Sequence, residues 1–253
     1  MTEELTVSQK AEFGAKDNTF IAEQHNHTGL TPADATQIAI TMFKEYFPQL
    51  RQEALEEVYK IVENTLSQIP VNDILRPSPK IAVPLLQNAS ITEDLILRKM
   101  YAKLLAGDMN RQLKSSVHPA YIEIVNQLSS DDAKLFRRIV EINNSIPVAR
   151  ITFNFDTKYL SSVFPHYYSP YFSGMDPWTV SIGIENLSRL NIIHLFEGTV
   201  NVYNYDTMIQ DPFVVERFEF AKRENPTKEL SIKITEYVIQ MNDFGDKLAK
   251  LCL

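Results

Sequence analysis

Through most of the span from Ala35 to Val140 the apolar residues return every three or four positions. A period of that kind, held over such a length, suits packed helices and little else. Thr31-Pro32-Ala33-Asp34 opens the pattern. Thr31 can accept from the unpaired backbone N–H groups, Pro32 suits the first helical position, and Asp34 complements the positive helix end. Ala35, Ile38, Ala39, Met42, Phe43, Tyr46 and Phe47 then form one apolar face, and Pro48 ends or kinks the helix. A second helix is expected from about Gln49 to Gln68, with Leu50, Ala54, Leu55, Val58, Ile61, Val62 and Leu66 on its face. The two are expected to pack as a hairpin over residues 31–76, or to continue as a kinked rod.

The stretch IPVNDILRPSPKIAVPLLQNAS carries Pro70, Pro77, Pro79 and Pro84. It reads as a connector and then a short helix, with a domain boundary near Arg76. Ser90-Ile-Thr-Glu93 matches a capping box and predicts a helix behind it to about Lys114, burying Leu97, Tyr101, Leu104 and Leu105. His118-Pro119 opens another helix, with Tyr121, Ile122 and Val125 apolar. Leu128-Ser129-Ser130-Asp131 ends that helix and caps the next, which carries Ala133, Leu135, Phe136, Ile139 and Val140.

After Asn144 the period changes. VARITFNFD alternates as a strand does, with Ile151, Phe153 and Phe155 on one side. A Tyr-, Phe- and Pro-rich stretch to Pro177 has no regular pattern. A helix is expected over Pro177–Leu190, short strands at NIIHLFEG and TVNVYNY, a helix in DPFVVERFEFAKRE, a strand at SIKITEYVIQM and a last helix from Asp243 to Leu251. Helices followed by a strand, a helix and a β-ribbon make the pattern of a winged helix. The fold class expected is α+β, mainly helical, in three parts. Residues 1–30 form a flexible or signalling arm, 31–76 the hairpin, and 77–253 a helical middle with a winged-helix-like end.

Residues 1–30 are polar, with isolated apolar residues at Phe13, Phe20 and Ile21 and glycines at Gly14 and Gly29. The 253 residues include 7 glycines and 1 cysteine, Cys252. So few glycines argue against a phosphate-cradling loop, and one cysteine excludes a disulfide framework or a Cys-based zinc site. A net charge of -7 argues against a general nucleic-acid binder. No run approaches the ~18 apolar residues of a membrane span. The chain reads as cytoplasmic, with no cofactor expected.

The segment from Pro84 to Asn143 holds LLAGDMN and HPAYIEIVNQLSSDDAKLF; later come ENLSRLNIIHL and ITEYVIQMNDFGDKLAKLC. This order resembles the abortive infection alpha family, bacterial proteins associated with phage defence. The matching positions are Leu104, Leu105, Ala106, His118, Pro119, Leu128, Ser129 and Asp132, then Leu187, Leu190, Ile192, Ile193, Phe244, Gly245 and Cys252. Asn191 stands where the family usually has glycine, and Leu248 where it usually has an aromatic residue. The resemblance runs over roughly residues 81–253. A second, shorter likeness joins Ala11-Glu12-Phe13-Gly14, Asn18 and the following GLTPADATQIAITMFKEYFPQLRQEA to leaders of bacterial defence proteins, whose short element is similar to amyloid-like signalling motifs of the RHIM kind. It makes Phe13, Gly14, Asn18, Phe20 and Ile21 the candidate self-assembly arm. Glu12 works against such stacking, because aligned carboxylates repel.

Candidate sites compete with plainer roles. His25-Asn26-His27 spells the name of a nuclease class, but that class spreads its three letters over a β-β-α unit of about thirty residues. A catalytic metal would also need a third ligand, and Asp34, the nearest, is accounted for by the helix start. His118, Glu123, Asp131 and Asp132 are the candidates for a hydrolytic cleft; the helix dipole at a first helical turn explains the aspartates better. Arg98, Lys99, Lys103, Arg111 and Lys114, expected on one helix, form the densest positive patch and a candidate anion-facing surface. TVSIGIENLSRL, the candidate recognition helix, offers Arg189 against Glu185, a poor footprint for DNA.

The resemblance implies a bacterial anti-phage protein of abortive infection. Its expected action is through protein contacts and self-assembly, without evident catalysis, as a homo-oligomer with a partner in a defence system or in the phage. The alternatives are a cryptic nuclease or hydrolase toxin, and a winged-helix DNA-binding regulator.

Overall fold

The computed structural model describes residues 30–46, 52–155, 158–160 and 164–253. The candidate arm residues Phe13, Gly14, Asn18, Phe20 and Ile21, with His25, His27 and Pro48, lie outside the described residues.

The helical half runs α1 (Pro32–Tyr46), α2 (Gln52–Leu66), α3 (Pro79–Ile91), α4 (Leu95–Asp108), α5 (Ala120–Asn126) and α6 (Ser130–Ile142). Thr31 and Asp34 cap α1 reciprocally: the Asp34 N–H donates to Thr31 Oγ1 at 3.1 Å, and the Thr31 N–H to Asp34 Oδ2 at 3.3 Å. Ser129 and Asp132 do the same for α6. Central to this half is α4, where Met100 to Asp108 are buried except Lys103. A helix apolar nearly all round belongs inside a bundle. It packs against α2, α3, α5, α6 and the C-terminal helix α9 (Asp243–Cys252). Truncating Leu104 or Leu105, both 0% exposed, would cost about 2–5 kcal/mol.

Three expectations need correction. Ser90 is buried inside α3 and caps nothing; α4 is capped by Asp94, whose Oδ1 accepts from the N–H groups of Ile96 (2.8 Å) and Leu97 (2.9 Å). Arg98 holds the Thr92 and Glu93 carbonyls in the extended segment between the two helices. The helix expected to reach Lys114 ends at Asp108, which leaves Arg111 in the turn beyond it and Lys114 at the start of a 3-10 helix, Lys114–Ser116. TVNVYNY forms no strand: Tyr203 N–H bonds Val200 O, and Tyr205 begins a 3-10 helix over Tyr205–Gln210.

The second half adds β1 (Ile146–Phe155), β2 (Lys158–Leu160), α7 (Pro177–Arg189), β3 (Ile193–Glu197), α8 (Pro212–Glu224) and β4 (Ser231–Met241). The sheet is antiparallel, in the order β2-β1-β4-β3. Strand alternation divides its two faces. Ile146 and Val148, with Tyr237 and Ile239 opposite them, join the helical core. Ala149, Ile151 and Phe153 point the other way, into a second cluster with Phe164, Tyr205 and residues of α8. The protein is thus α+β and mainly helical.

The C-terminal turn from β4 into α9 is tight. Asn191, at the end of α7, has φ 53, the left-handed region where glycine is usual and asparagine next best. Asn242 donates from Nδ2 to Asn191 O at 2.7 Å, and its Oδ1 accepts from the Gly245 N–H at 2.8 Å, capping α9. A Cβ on Gly245 would stand 2.1 Å from Ile192 O. Gly245, a residue that carried the resemblance, and Asn191, where the chain departs from the family's glycine, are therefore joined at one junction through Asn242.

Candidate functional site

The structure gives the residues proposed for a hydrolytic cleft separate employments. His118 Nδ1 accepts from the Ala120 N–H at 3.1 Å, and its ring lies edge-on to Tyr121 and Phe244. It starts α5 and packs toward α9. Glu123 is exposed on α5. Asp131 pairs with Lys134 at 2.9 Å. Asp132 is buried, accepts at Oδ2 from the Ser129 N–H at 2.8 Å, and accepts Asn186 Nδ2 at 3.0 Å from α7. Among the described residues, no group of three or more His, Cys, Asp or Glu is placed to hold a metal ion.

The five cations also separate. Arg98 pairs with Glu57 of α2 and holds two loop carbonyls. Lys103 Nζ donates to the Leu253 carbonyl at 2.7 Å. Arg111 stands 3.7 Å from Asp73 and donates to Asn72 O at 3.2 Å. Lys114 donates to Arg76 O at 3.3 Å and lies 4.0 Å from buried Asp108. Lys99 is exposed on α4. Four of the five thus stitch distant parts of the chain together.

The surroundings of three groups shift their titration. Desolvation raises the Asp108 carboxyl above its usual range, opposed by the Ser78 N–H at 2.6 Å and by Lys114. Around Asp94 desolvation also pushes upward, but hydrogen bonds from the Ser130 hydroxyl and the Leu97 and Ile96 N–H groups outweigh it and hold the carboxyl low. Burial pushes the Cys252 thiol far up, which disfavours the thiolate a nucleophile needs.

The surface that stands apart is the outer face of α7. Asp176 caps this helix, accepting the Thr179 N–H at 2.8 Å, and Pro177 fills its first position. Val180, Ile184 and Leu187 face inward. Gly183 lets α6 come close: a Cβ there would meet Leu135 Cδ2 at 2.7 Å and Asp132 Oδ1 at 3.1 Å. The opposite stripe is Trp178, Ile182, Glu185 and Arg189, at i, i+4, i+7 and i+11, all exposed. Trp178, the chain's single tryptophan, is 39% exposed and Ile182 68%.

The charged end of that stripe is already engaged. Glu185 Oε1 lies 2.7 Å from His166 Nδ1. Arg189 donates to Asn186 Oδ1 and, at 3.0 Å, to Gln127 Oε1. What α7 offers to a partner is therefore mostly apolar. The sequence pointed to this helix through Arg189 and Glu185 and passed over Trp178. The available signal was a tryptophan four residues before an isoleucine, both off the buried period of the helix.

Comparison with known proteins adds one match. The family model described as abortive infection alpha matches residues 50–252. Neither a curated protein nor a solved structure matches the chain.

Proposed function

Because the chain belongs to the abortive infection alpha family, a family defined by abortive infection, we propose that it serves anti-phage defence by docking against protein, first of all a second copy of itself, through the outer face of α7. The observation that carries this is the Trp178–Ile182 pair. An exposed tryptophan beside an exposed isoleucine is the composition of an interface centre, since aromatic residues dominate contact energy. We read the C-terminal part as winged-helix-like, because α6, β1, α7, β3 and β4 follow in that order and the strands pair β1-β4-β3. In a DNA reader the corresponding helix brings Arg, Lys, Asn or Gln to base edges. Here its free positions are Trp178 and Ile182, and Arg189 is tied to Gln127. Contact with protein fits those side chains better than contact with a duplex.

The test is Ile182→Glu, alone and with Trp178→Ala. Both side chains lie on the surface, so the expected melting temperature stays within about 2 °C of wild type. Light scattering should show loss of the self-associated species, and cells expressing the variant should lose protection during infection. A variant that protects and associates as wild type does would refute the role of α7. Deleting residues 1–29 in parallel separates the N-terminal segment from the α7 face: if only the deletion abolishes association, self-assembly belongs to that segment.

A further inference from the structure

Beyond the helical body, the two long strands carry a face of another kind. Arg150, Thr152 and Asn154 of β1 stand directly opposite Thr235, Lys233 and Ser231 of β4. Directly opposed residues of an antiparallel pair point to the same side, and so do residues two apart on a strand. All six therefore share one face. The reverse side is occupied by Ile151, Phe153, Ile232 and Ile234, which build the second core cluster. None of the six is buried, and Lys233 and Ser231 are exposed.

The chemistry of this face is uniform. It holds two cations, three hydroxyls and an amide, with no carboxylate among the six, in a chain whose net charge is -7. Neighbours across the strands are about 5 Å apart, and neighbours along a strand about 6.7 Å. The block thus offers clustered donors over a span of about 13 Å along the strands.

Arg150 is the anchor. Its guanidinium carbon stands 5.5 Å from the centre of the Tyr167 ring and 5.3 Å from that of Tyr237, and Nη2 donates to Tyr167 Oη at 3.2 Å. Two rings and a hydrogen bond fix its direction. Among the described residues it has no carboxylate partner, and its Nε is buried without a hydrogen bond. The nearby acid Glu197 is turned to Tyr237, whose hydroxyl donates to Glu197 Oε1 at 2.9 Å. A half-buried arginine held in place and left without an anion is costly unless its charge is used. Cation–π contact alone returns about 0.5–2 kcal/mol.

We propose that this face is an oxyanion site, and that its ligand is a phosphoryl group presented by a small molecule. Arg150 supplies the fixed charge, Lys233 a second mobile one, and Thr235 and Thr152 hydroxyl donors that lie between them. Charge-assisted hydrogen bonds from a guanidinium and flanking hydroxyls are a common way for a protein to hold phosphate. The site stands independently of the α7 contact face, and failure of one says nothing against the other.

The experiment is calorimetric titration of the full chain with inorganic phosphate, pyrophosphate and ATP at low ionic strength. The variants are Lys233→Gln, Thr235→Val and Arg150→Gln, with Lys99→Gln as a distant control. Pyrophosphate and ATP should bind, and Lys233→Gln and Thr235→Val should each weaken binding at least fivefold while circular dichroism stays unchanged. Those two variants decide the matter even if Arg150→Gln disturbs the tyrosines. Binding of ATP without pyrophosphate would place extra contacts on the nucleoside and still support the site. Absence of binding by all three probes, or equal affinity in Lys233→Gln, Thr235→Val and wild type, would overturn it.

Discussion

Replacing Gly245 by alanine tests the junction that joins α7 to α9. The new methyl would stand 2.1 Å from Ile192 O, 2.9 Å from Ile192 C and 2.8 Å from Met241 Sδ. Methionine can swing away, but a backbone carbonyl cannot rotate aside without moving the turn that holds it. That turn is itself fixed by Asn242, which bonds Asn191 O at 2.7 Å and the Gly245 N–H at 2.8 Å. The clash must therefore be relieved by shifting α9, whose Leu248 and Cys252 are buried in the main core. Overpacking of this kind costs about 1–3 kcal/mol, and contact with backbone places Gly245→Ala near the top of that range. For a chain of this size each kcal/mol moves the melting temperature by about 2–4 °C, so a fall of roughly 6–12 °C is expected. Gly174→Ala is the comparison. Gly174 has φ +89 with no atom within 4 Å of a Cβ, so its cost is backbone strain alone, about 1–2 kcal/mol. Urea unfolding followed by circular dichroism measures both. The steric account is refuted if Gly245→Ala unfolds within 0.5 kcal/mol of wild type, a margin of roughly the size typical for surface substitutions, or if Gly174→Ala proves the more damaging.

Two further outcomes follow from the same geometry. At position 191 the backbone has φ 53, so Asn191→Gly should stay within about 0.5 kcal/mol of wild type, whereas Asn191→Val should cost about 1–2 kcal/mol by denaturant melts. At Asp108, burial raises the folded-state pKa, so the native chain takes up a proton before the unfolded chain does. Stability from this group is present below the unfolded carboxylate value and is lost as pH rises through the raised folded value. Asp108→Asn keeps an acceptor for the Ser78 N–H, and should flatten that decline in a stability–pH series without lowering stability at neutral pH. A decline that persists unchanged in the variant would assign it to another group.

Much of the helical half could be read from neighbouring residues. The reciprocal cap of Thr31 and Asp34, the Ser129–Asp132 box, and the burial of Leu97, Tyr101, Leu104 and Leu105 rest on contacts between residues close in the chain or on one periodic face. The capping motif at Ser90 was equally well formed locally, yet Asp94 took the role. Asp94 Oδ2 also accepts the Ser130 hydroxyl at 2.5 Å, a contact across 36 residues that no local pattern contains. The positive patch failed as a single-helix feature for the same reason. Arg98 found Glu57, and Lys103 found the Leu253 carbonyl, 150 positions away.

The abortive infection family, too, was legible in sequence, and one of its motif residues, Gly245, is what a tight junction demands. Glycine or asparagine suits a left-handed turn, glycine alone fits against Ile192 O, and Asn242 caps a helix while gripping the turn before it. Capping, periodicity and turn chemistry act over a few residues, so the sequence by itself determined where most helices and strands lie. Which side chains remain unpartnered depends on how those elements pack. Only the tertiary structure decided that Trp178 and Ile182 face outward, and that Arg150 and Lys233, 83 positions apart in the chain, share one open face of the sheet.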